Sequence, residues 1–279
     1  MPPTTLPNYF NAAEAAARYA TARPYFHAEA AERVRSFAGV ERFALAMDVG
    51  CGSGQSSVAL AAVAEQVIAI DASAEMLRHA TLLPNISYHV GFAEQLDAVC
   101  TRAGACAAAG SALLPAAGVQ GFDVITAGMA LHWFDRDRFY DQCHRMLRPK
   151  GLLAVYNDHF TSHMEGSLAC KRWMRTRFAK RYPPPRRGMR DIDEQQAAAC
   201  GFAVAERSWF DHRVPFTREQ LIGYLLTRSN VLAAIESGRE DQQTVMTWLD
   251  RELVPIVRDG ATETFIFKCN LWLLRRADA

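Results

Sequence analysis

A glycine-rich segment between two apolar runs has the residue types and spacing that point most directly to chemistry. It reads acid-x-Gly-x-Gly-x-Gly from Asp48 to Gly54, with the apolar run FALAM before it and an alanine-rich stretch after it. A strand, a glycine turn and a helix in this order bring backbone amides close to a nucleotide, because glycine has no side chain and tolerates positive φ. We therefore predict a nucleotide-binding loop at this position.

The spacing of the glycines narrows the choice of nucleotide. A dinucleotide fingerprint has glycine at its first, third and sixth positions, whereas the sixth residue is Gln55 when counted from Gly50 and Ser57 when counted from Gly52. This spacing disfavours a nicotinamide-dependent oxidoreductase. A second acid, Asp71, ends the next apolar run. A carboxylate at the carboxyl end of a parallel strand can accept hydrogen bonds from both ribose hydroxyls; its alternative role is to cap the helix predicted over residues 73–81.

Further strings along the chain have the residue types and the order of one enzyme family. They are ASAEML at residues 72–77, GFAEQL at 91–96, FDVITAGMALHWF at 122–134 and LRPKGLL at 147–153. Together with the glycine loop and Asp71, they resemble class I S-adenosylmethionine (SAM)-dependent methyltransferases, and among these the trans-aconitate type. The resemblance covers nearly the whole chain and is strongest over residues 43–156.

The resemblance implies a SAM-binding site at the carboxyl ends of the first four strands. The methionine portion of SAM would meet the glycine loop, the ribose would meet Asp71, and the adenine would meet Ala93 and Glu94. The alternative for Glu94 is a glutamate in a surface loop, and Met76 would either pack in its helix or touch the adenine. The cofactor-binding residues implied in this way are Asp48, Gly50, Cys51, Gly52, Gly54, Gln55, Asp71, Ala72, Met76, Ala93, Glu94, Ala127 and Met129.

The same resemblance places the acceptor-binding residues in less similar parts of the chain. The string YATARP at residues 19–24 is similar to a lid segment of the family, and a surface turn is its alternative. His132 would act as a general base, because an imidazole titrates near neutral pH, or would brace the loop together with Trp133. A carboxylate acceptor needs no base. The candidate substrate-binding residues are Tyr19, Arg23, His132, Trp133, His159, Arg186 and Arg187.

A basic segment lies in the region where these enzymes often have a substrate cap. Nine of the residues from 171 to 190 are Lys or Arg and none is acidic. The pattern predicts an amphipathic helix over residues 168–182, and its guanidinium groups suit a carboxylate or a phosphate; a solvated face is the alternative. His159 and His163 have the spacing of metal ligands on a helix, but there is no H-E-x-x-H. We predict a loop at the mouth of the site there, and no metal.

The elements that position these residues follow from hydrophobic periodicity and turn signals. Strands are predicted over residues 43–49, 66–70, 86–90, 122–127, 152–156, 202–214 and 264–274, and helices over 28–37, 55–64, 73–81, 137–147, 168–182, 192–200 and 218–252. Residues 148–151 are predicted to form a turn. The fold class is α/β, a Rossmann-like seven-stranded mixed sheet with helices on both faces and an α-helical cap.

The domain prediction is a single domain over residues 1–279. Its SAM-binding core spans residues 40–160, and residues 1–39, 161–190 and 215–260 are cap or lid elements. Residues 98–121 depart from the family and are rich in alanine and glycine. They predict an extra helix or a mobile excursion, and we assign no chemistry to them.

The composition limits the classes of partner and compartment. Half of the 279 residues are apolar and the net charge is +1, so the chain can bury a large core and is not basic overall. No apolar run is long enough to span a bilayer, and the N-terminus lacks the regions of a signal peptide. Seven cysteines without a C-x-x-C predict reduced thiols rather than disulfides or a zinc site. We expect a cytoplasmic monomer or homodimer without nucleic-acid or membrane partners.

The resulting functional prediction is the transfer of a methyl group from SAM to a small molecule, which leaves S-adenosylhomocysteine. An acidic metabolite is the preferred acceptor, with O-methylation of a carboxylate favoured. The alternatives are an acyl group bound to a carrier protein, a phenol or an amine, and a regulator that binds SAM without catalysis. The string YLLTRS at residues 224–229 is similar to a Tyr-Leu-x-Thr-x-Ser stretch of relatives and has no assigned role.

Overall fold

The computed structural model describes residues 21–102, 121–183 and 191–277 of the chain. Predictions about Tyr19, Arg186 and Arg187 lie outside these ranges. So does most of the alanine-rich segment at residues 98–121.

Alternating helices and strands make up the described chain. The helices are α1 (His27–Ala38), α2 (Gln55–Val63), α3 (Ala74–Leu77), α4 (Leu96–Arg102), α5 (Arg136–Met146), α6 (Ala169–Trp173), α7 (Ala179–Arg181), α8 (Glu194–Ala199), α9 (Arg218–Leu226), α10 (Ser229–Glu236) and α11 (Gln242–Leu253). A π-helix (Met174–Phe178) separates α6 from α7, and short 3-10 helices span Ala93–Gln95 and Leu131–Trp133. The strands are β1 (Phe43–Val49), β2 (Ala64–Asp71), β3 (Ile86–Val90), β4 (Phe122–Gly128), β5 (Leu147–Met164), β6 (Phe202–Thr217) and β7 (Thr262–Arg276).

The strands form one seven-stranded sheet in the order β3-β2-β1-β4-β5-β7-β6. The first five strands of that order pair in parallel. All seven residues of β4 are buried, which is the pattern of a strand covered on both faces. The order reverses direction at β1, because β2 lies on one side of it and β4 on the other. This confirms the predicted α/β class with a Rossmann-like sheet, and a ligand is expected at the carboxyl ends of β1 and β4.

The turn predicted at residues 148–151 is wrong, because these residues lie inside β5. Phe122 pairs with Leu147 and Val124 pairs with Leu152. Between these two pairs, β5 advances by five residues and β4 by two. The three extra residues of β5 form an irregularity in the pairing of the two strands. Within it, Lys150 has a positive φ of 62°. The helix-ending signal in the sequence therefore coincides with an irregular start of β5.

Two other local predictions differ from the structure. The helix predicted over residues 73–81 is only four residues long, because the amides of His79 and Ala80 bond three residues back and tighten the chain into a turn. The loop predicted around His159 and His163 is wrong, since both histidines lie in β5. Four residues along a strand span about 13 Å, so these two side chains cannot share one metal ion.

The chain divides into two compact units, each with its own apolar core. Unit 1 contains residues 21–24, 158–183 and 209–269, and unit 2 contains residues 25–102, 121–157, 191–208 and 270–277. The core of unit 1 includes Leu249, Phe265 and Phe267, and that of unit 2 includes Met47 and Ile125. The assignment of residues 1–279 to one domain stays a prediction. Within the described ranges, no helix has the length and apolar character needed to cross a membrane.

Candidate active site

The glycine loop connects β1 to α2 and has the backbone conformation that the sequence predicts. Gly50, Gly52 and Gly54 have φ values of 72°, 55° and 78°. A Cβ on Gly50 would lie 2.5 Å from the Cβ of Ala130, so both the backbone angle and the packing require glycine there. The amides of Gly50 and Cys51 donate to the carbonyl of Ile70, which ties the loop to β2. The loop is therefore held in one shape by the protein itself.

Asp71 ends β2 and fixes the tip of the loop with its carboxylate. Its Oδ2 accepts a hydrogen bond from the amide of Gly52 at 2.7 Å, and its Oδ1 accepts one from the amide of Ser73 at 2.8 Å. Burial raises the pKa of Asp71 above its usual value, and the two amides act in the opposite direction. Each carboxylate oxygen can accept a second hydrogen bond, so this geometry leaves acceptor capacity for a ligand.

Asp48 lies beneath the loop, where its carboxylate is completely buried. Its Oδ2 accepts hydrogen bonds from the hydroxyls of Ser56 and Ser57 at 2.6 and 2.7 Å, and its Oδ1 accepts one from Thr126 at 2.9 Å. Burial raises the pKa of Asp48, and these three hydroxyls oppose the shift. This predicted cofactor-binding residue thus positions α2 and β4 under the loop rather than facing a ligand.

The residues predicted to meet the adenine lie at the carboxyl ends of β2 and β3. Met76 is buried against the loop, with its Cε 3.0 Å from the position that a Cβ on Gly52 would occupy. Ala93 is buried at the start of a 3-10 helix. The Oε1 of Glu94 accepts a hydrogen bond from the amide of Asp135 at 2.8 Å, which joins this helix to the segment before α5. Glu94 is half-exposed and lies in this 3-10 helix, so the predicted alternative of a glutamate in a surface loop is wrong only in the kind of local structure.

Three further predicted residues have clear positions around the loop. Gln55 is the first residue of α2, Ala72 is exposed directly after Asp71, and Ala127 is buried in β4. Cys51 is buried within the loop, and burial raises the pKa of its thiol well above its usual value. A neutral buried thiol is a poor nucleophile, so Cys51 contributes backbone and shape.

The carboxyl ends of β4 and β5 meet at Gly128 and Tyr156, which are paired across the two strands. A Cβ on Gly128 would lie 2.6 to 2.7 Å from the ring of Tyr156, so the ring covers this glycine. The next residue, Met129, has a φ of 57° and donates its amide hydrogen to the carbonyl of Tyr156 at 2.8 Å. A left-handed conformation at a non-glycine residue often marks a functional site.

At this strand end, a buried histidine, His27, lies beside a buried tyrosine, Tyr156, and the sequence did not predict either of them as a site residue. Nδ1 of His27 lies 3.1 Å from the hydroxyl of Tyr156, and His27 stacks on Phe26 with ring centroids 4.3 Å apart. His27 comes from α1 and Tyr156 from β5, 129 residues later, so no sequence spacing reveals the pair. The only available signals were two hydrogen-bonding side chains at the ends of predicted apolar elements.

The candidate acceptor residues fall in both units. His132 and Trp133 lie in a 3-10 helix of unit 2, with ring centroids 4.9 Å apart, and are partly exposed. Arg23 lies in unit 1, where it contacts Tyr224 and Thr227. His159 is a partly exposed residue of β5 in unit 1. Over the described ranges, no three His, Cys, Asp or Glu side chains cluster as a metal site would require.

Comparison with known proteins shows which family the central part of the chain is similar to. Residues 47–155 match the family described as "Methyltransferase domain". A protein of Dictyostelium discoideum described as a candidate methyltransferase is 26% identical over 226 residues, which cover 80% of this chain and 78% of the relative. An uncharacterised methyltransferase of Schizosaccharomyces pombe is 26% identical over 141 residues, covering 50% of this chain and 49% of that protein.

A solved structure supports the fold over most of the chain. It is a candidate type II methyltransferase from Anaeromyxobacter dehalogenans, similar with a TM-score of 0.68 at 22% sequence identity. The match covers 92% of this chain and 99% of that one. The seven-stranded methyltransferase fold therefore extends over most of the chain, beyond the region that the family match covers.

Proposed function

We propose that this chain, whose residues 47–155 match the methyltransferase domain family, is a SAM-dependent methyltransferase that transfers the methyl group of SAM to a small acidic molecule, with O-methylation of a carboxylate favoured. The observation that carries the cofactor assignment is the hydrogen bond from the Gly52 amide to Asp71. It joins the carboxylate at the end of β2 to the glycine loop after β1. The glycine loop and the acid at the end of the second strand, which the resemblance assigns to SAM binding, are thereby held together.

The residues at this corner fit SAM in shape and chemistry. The loop exposes backbone rather than side chains at Gly52, which is partly accessible. In the proposal, the methionine portion lies along Gly50, Cys51, Gly52 and Gly54 and near Ala127 and Met129, and the ribose hydroxyls donate to Asp71. The adenine lies near Met76 and Ala93. When bound, SAM supplies a methyl group that its sulfonium charge has already activated.

The protein's own part in the reaction is alignment and the exclusion of water. An acceptor carboxylate is a nucleophile without losing a proton, so His132 then has no proton to take. Its partly exposed ring beside Trp133 instead bounds the acceptor. Holding the acceptor oxygen in line with the methyl group supplies most of the rate, and apolar side chains at the strand ends keep water out.

A phenol or amine is the second candidate acceptor, and the His27–Tyr156 pair favours it. Such a group must lose a proton as the methyl group arrives, and an imidazole with a hydrogen-bonded phenol can accept one. The pair is buried at the end of β5. If the acceptor is a phenol, we expect the Tyr156→Phe variant to lose methyl-transfer activity and to keep its affinity for S-adenosylhomocysteine.

The experiment that tests the proposal is a titration with SAM and with S-adenosylhomocysteine, followed by a methyl-transfer screen over small carboxylates, phenols and amines. We expect Asp71→Ala to weaken SAM binding by at least about tenfold, because it removes charge-assisted hydrogen bonds and the support of Gly52. Asp211→Ala, which changes an exposed aspartate of β6, is the matched control. Equal SAM affinity in wild type and Asp71→Ala would refute the ribose assignment.

A further inference from the structure

The third glycine of the loop lies against a tyrosine that has no predicted role. Gly50 and Gly52 lie against residues that follow β4 and β2, as described above, whereas Gly54 lies against Tyr88 of β3. The position that a Cβ on Gly54 would occupy is only 2.5 Å from Oη of Tyr88. The loop after β1 is therefore contacted from three directions within unit 2, and the contact from β3 is made by a hydroxyl.

Gly54 is the joint between the loop and the helix that follows it. Its amide donates to the carbonyl of Cys51 at 2.9 Å, and its carbonyl accepts from the amide of Val58 at 2.9 Å. It is the N-cap residue of α2, with a φ of 78°, and its cap makes no side-chain hydrogen bond. A displacement of Gly54 would therefore disturb the last turn of the loop and the first turn of α2 together.

The hydroxyl of Tyr88 is itself fixed by a hydrogen bond. Its Oη donates to the carbonyl of Thr81, in the turn after α3, at 3.0 Å. Burial raises the pKa of Tyr88 to about 12, so the hydroxyl keeps its proton and remains a donor at neutral pH. A hydrogen bond at the far end of the ring limits the rotation of the side chain. The atom that meets Gly54 is thus held by a neighbouring segment of the chain.

The space beside Gly54 is filled on the side of β3. Besides the hydroxyl of Tyr88, a Cβ on Gly54 would meet Cζ of the same ring at 3.1 Å and Cβ of Ala80 at 3.2 Å. Close-packed atoms resist displacement toward one another. Gly54 therefore cannot move toward β3 unless Tyr88 moves first. A loop that is held in shape before its ligand arrives binds with a smaller entropic cost.

We propose that Tyr88 is a positioning residue of the SAM site, which acts through Gly54 and needs no contact with SAM itself. Its hydroxyl, bonded to Thr81, keeps the joint between the loop and α2 in the position that the ligand meets. The inference rests on the proposed function only in naming SAM as the ligand of this loop. The loss of the hydroxyl should consequently appear in the affinity of the folded protein for its ligand, and also in the mobility of the loop without ligand.

The first test is a double-mutant cycle of Gly54→Ala and Tyr88→Phe, in which S-adenosylhomocysteine is titrated calorimetrically into the full chain. Gly54→Ala alone should weaken binding by about tenfold or more, because the new Cβ meets the hydroxyl and the φ of 78° is strained for alanine. In the Tyr88→Phe background the same substitution should cost at least about threefold less, since only the ring carbon and Ala80 remain close. Gly39→Ala, with a φ of 67° and no neighbour within 4 Å, is the control and should have one and the same effect in both backgrounds.

The second test is hydrogen exchange of the chain without ligand. Tyr88→Phe should speed amide exchange over residues 52–58 and should weaken S-adenosylhomocysteine binding by about two- to fivefold. Tyr182→Phe is the matched control. It also removes a tyrosine hydroxyl that is hydrogen-bonded, to Glu240 at 2.8 Å, but in unit 1. It should change neither the exchange of residues 52–58 nor the affinity for S-adenosylhomocysteine.

The outcomes separate this inference from the proposed function. An equal effect of Gly54→Ala in both backgrounds would overturn the role of Tyr88, and so would a Tyr88→Phe chain that is less stable in urea but keeps wild-type ligand affinity and wild-type exchange. If Gly54→Ala does not fold, the comparison of Tyr88→Phe with Tyr182→Phe decides alone. A wild-type chain that binds neither SAM nor S-adenosylhomocysteine, while Tyr88→Phe still speeds exchange over residues 52–58, would refute the proposed function and leave the support of the loop by Tyr88 standing.

Discussion

Two aspartates support the same loop by different chemistry. Asp48 accepts hydrogen bonds from three side-chain hydroxyls and is sealed from water, whereas Asp71 accepts two backbone amides at the tip of the loop. A carboxylate suits both places because it offers two oxygens and only accepts hydrogen bonds. The glycine loop is therefore supported by one acid that shapes it, Asp48, and by a second acid, Asp71, that we propose to contact the ligand.

At the residue scale, we predict that Asp48→Ala lowers the free energy of unfolding by about 2–4 kcal/mol. The substitution leaves the hydroxyls of Ser56, Ser57 and Thr126 buried without their acceptor. Urea unfolding followed by circular dichroism measures the change. Asp211→Ala is the control, and an equal effect in the two variants would contradict the role given to Asp48.

At the element scale, the connections that follow β1 and β4 pack against each other. Gly50 follows β1 and lies against Ala130, which follows β4, so the glycine loop and the segment before the 3-10 helix share one surface. β5 contributes the Tyr156 ring over Gly128. The shape of the site therefore depends on close approaches between three strand ends, and small side chains are required where they meet.

We predict that Gly50→Ala destabilises the protein more than Gly39→Ala does. Both glycines have similar positive φ values, 72° and 67°, so both substitutions bear the same backbone strain of about 1–3 kcal/mol. Only at Gly50 does a new Cβ meet a neighbour, since nothing lies within 4 Å of the same position on Gly39. The added clash should contribute about 1–3 kcal/mol more.

Urea unfolding and a titration with S-adenosylhomocysteine together measure this difference. Gly50→Ala should also weaken ligand binding strongly, and Gly39→Ala, at the end of α1, should not. Equal destabilisation in the two variants would mean that the loop can shift away from Ala130. The packing account of Gly50 would then be wrong.

At the scale of the whole molecule, the site residues that we assign to SAM all belong to unit 2. Each unit has its own apolar core, so a ligand that binds in unit 2 should stabilise the residues of that unit most directly. This division gives the cofactor a distinct experimental signature within the chain.

We predict that S-adenosylhomocysteine slows amide hydrogen exchange mainly in unit 2. The protected segments should be residues 49–58, 71–77, 91–96 and 126–131. A ligand that binds only the folded state at one hundred times its dissociation constant stabilises that state by about 2.7 kcal/mol. Hydrogen exchange with mass spectrometry maps the effect, and protection confined to α9–α11 would contradict the cofactor site. The Asp71→Ala variant is the control and should give weaker protection at the same ligand concentration.

The sequence alone determined the parallel strands, the glycine loop and Asp71, because these depend on local patterns. Apolar runs ending at Asp48 and Asp71 specify buried strands, and glycines at fixed spacing specify a backbone that other residues cannot adopt. The bounds of β1 and β3 agree with the predictions residue for residue. These features are local, so neighbouring residues suffice to predict them.

Contacts between distant parts of the chain were decided by the tertiary structure. The irregularity at residues 148–151 depends on the pairing of β5 with β4, and the extension of β5 through His159 depends on strands that come more than 40 residues later. The His27–Tyr156 pair joins residues 129 positions apart, and the contacts of Arg23 with Tyr224 and Thr227 join residues about 200 positions apart. Hydrogen bonds and charges act through space, so folding alone brings such groups together. The glycine loop and Asp71 were thus visible in the sequence, whereas the His27–Tyr156 pair became visible only in the fold.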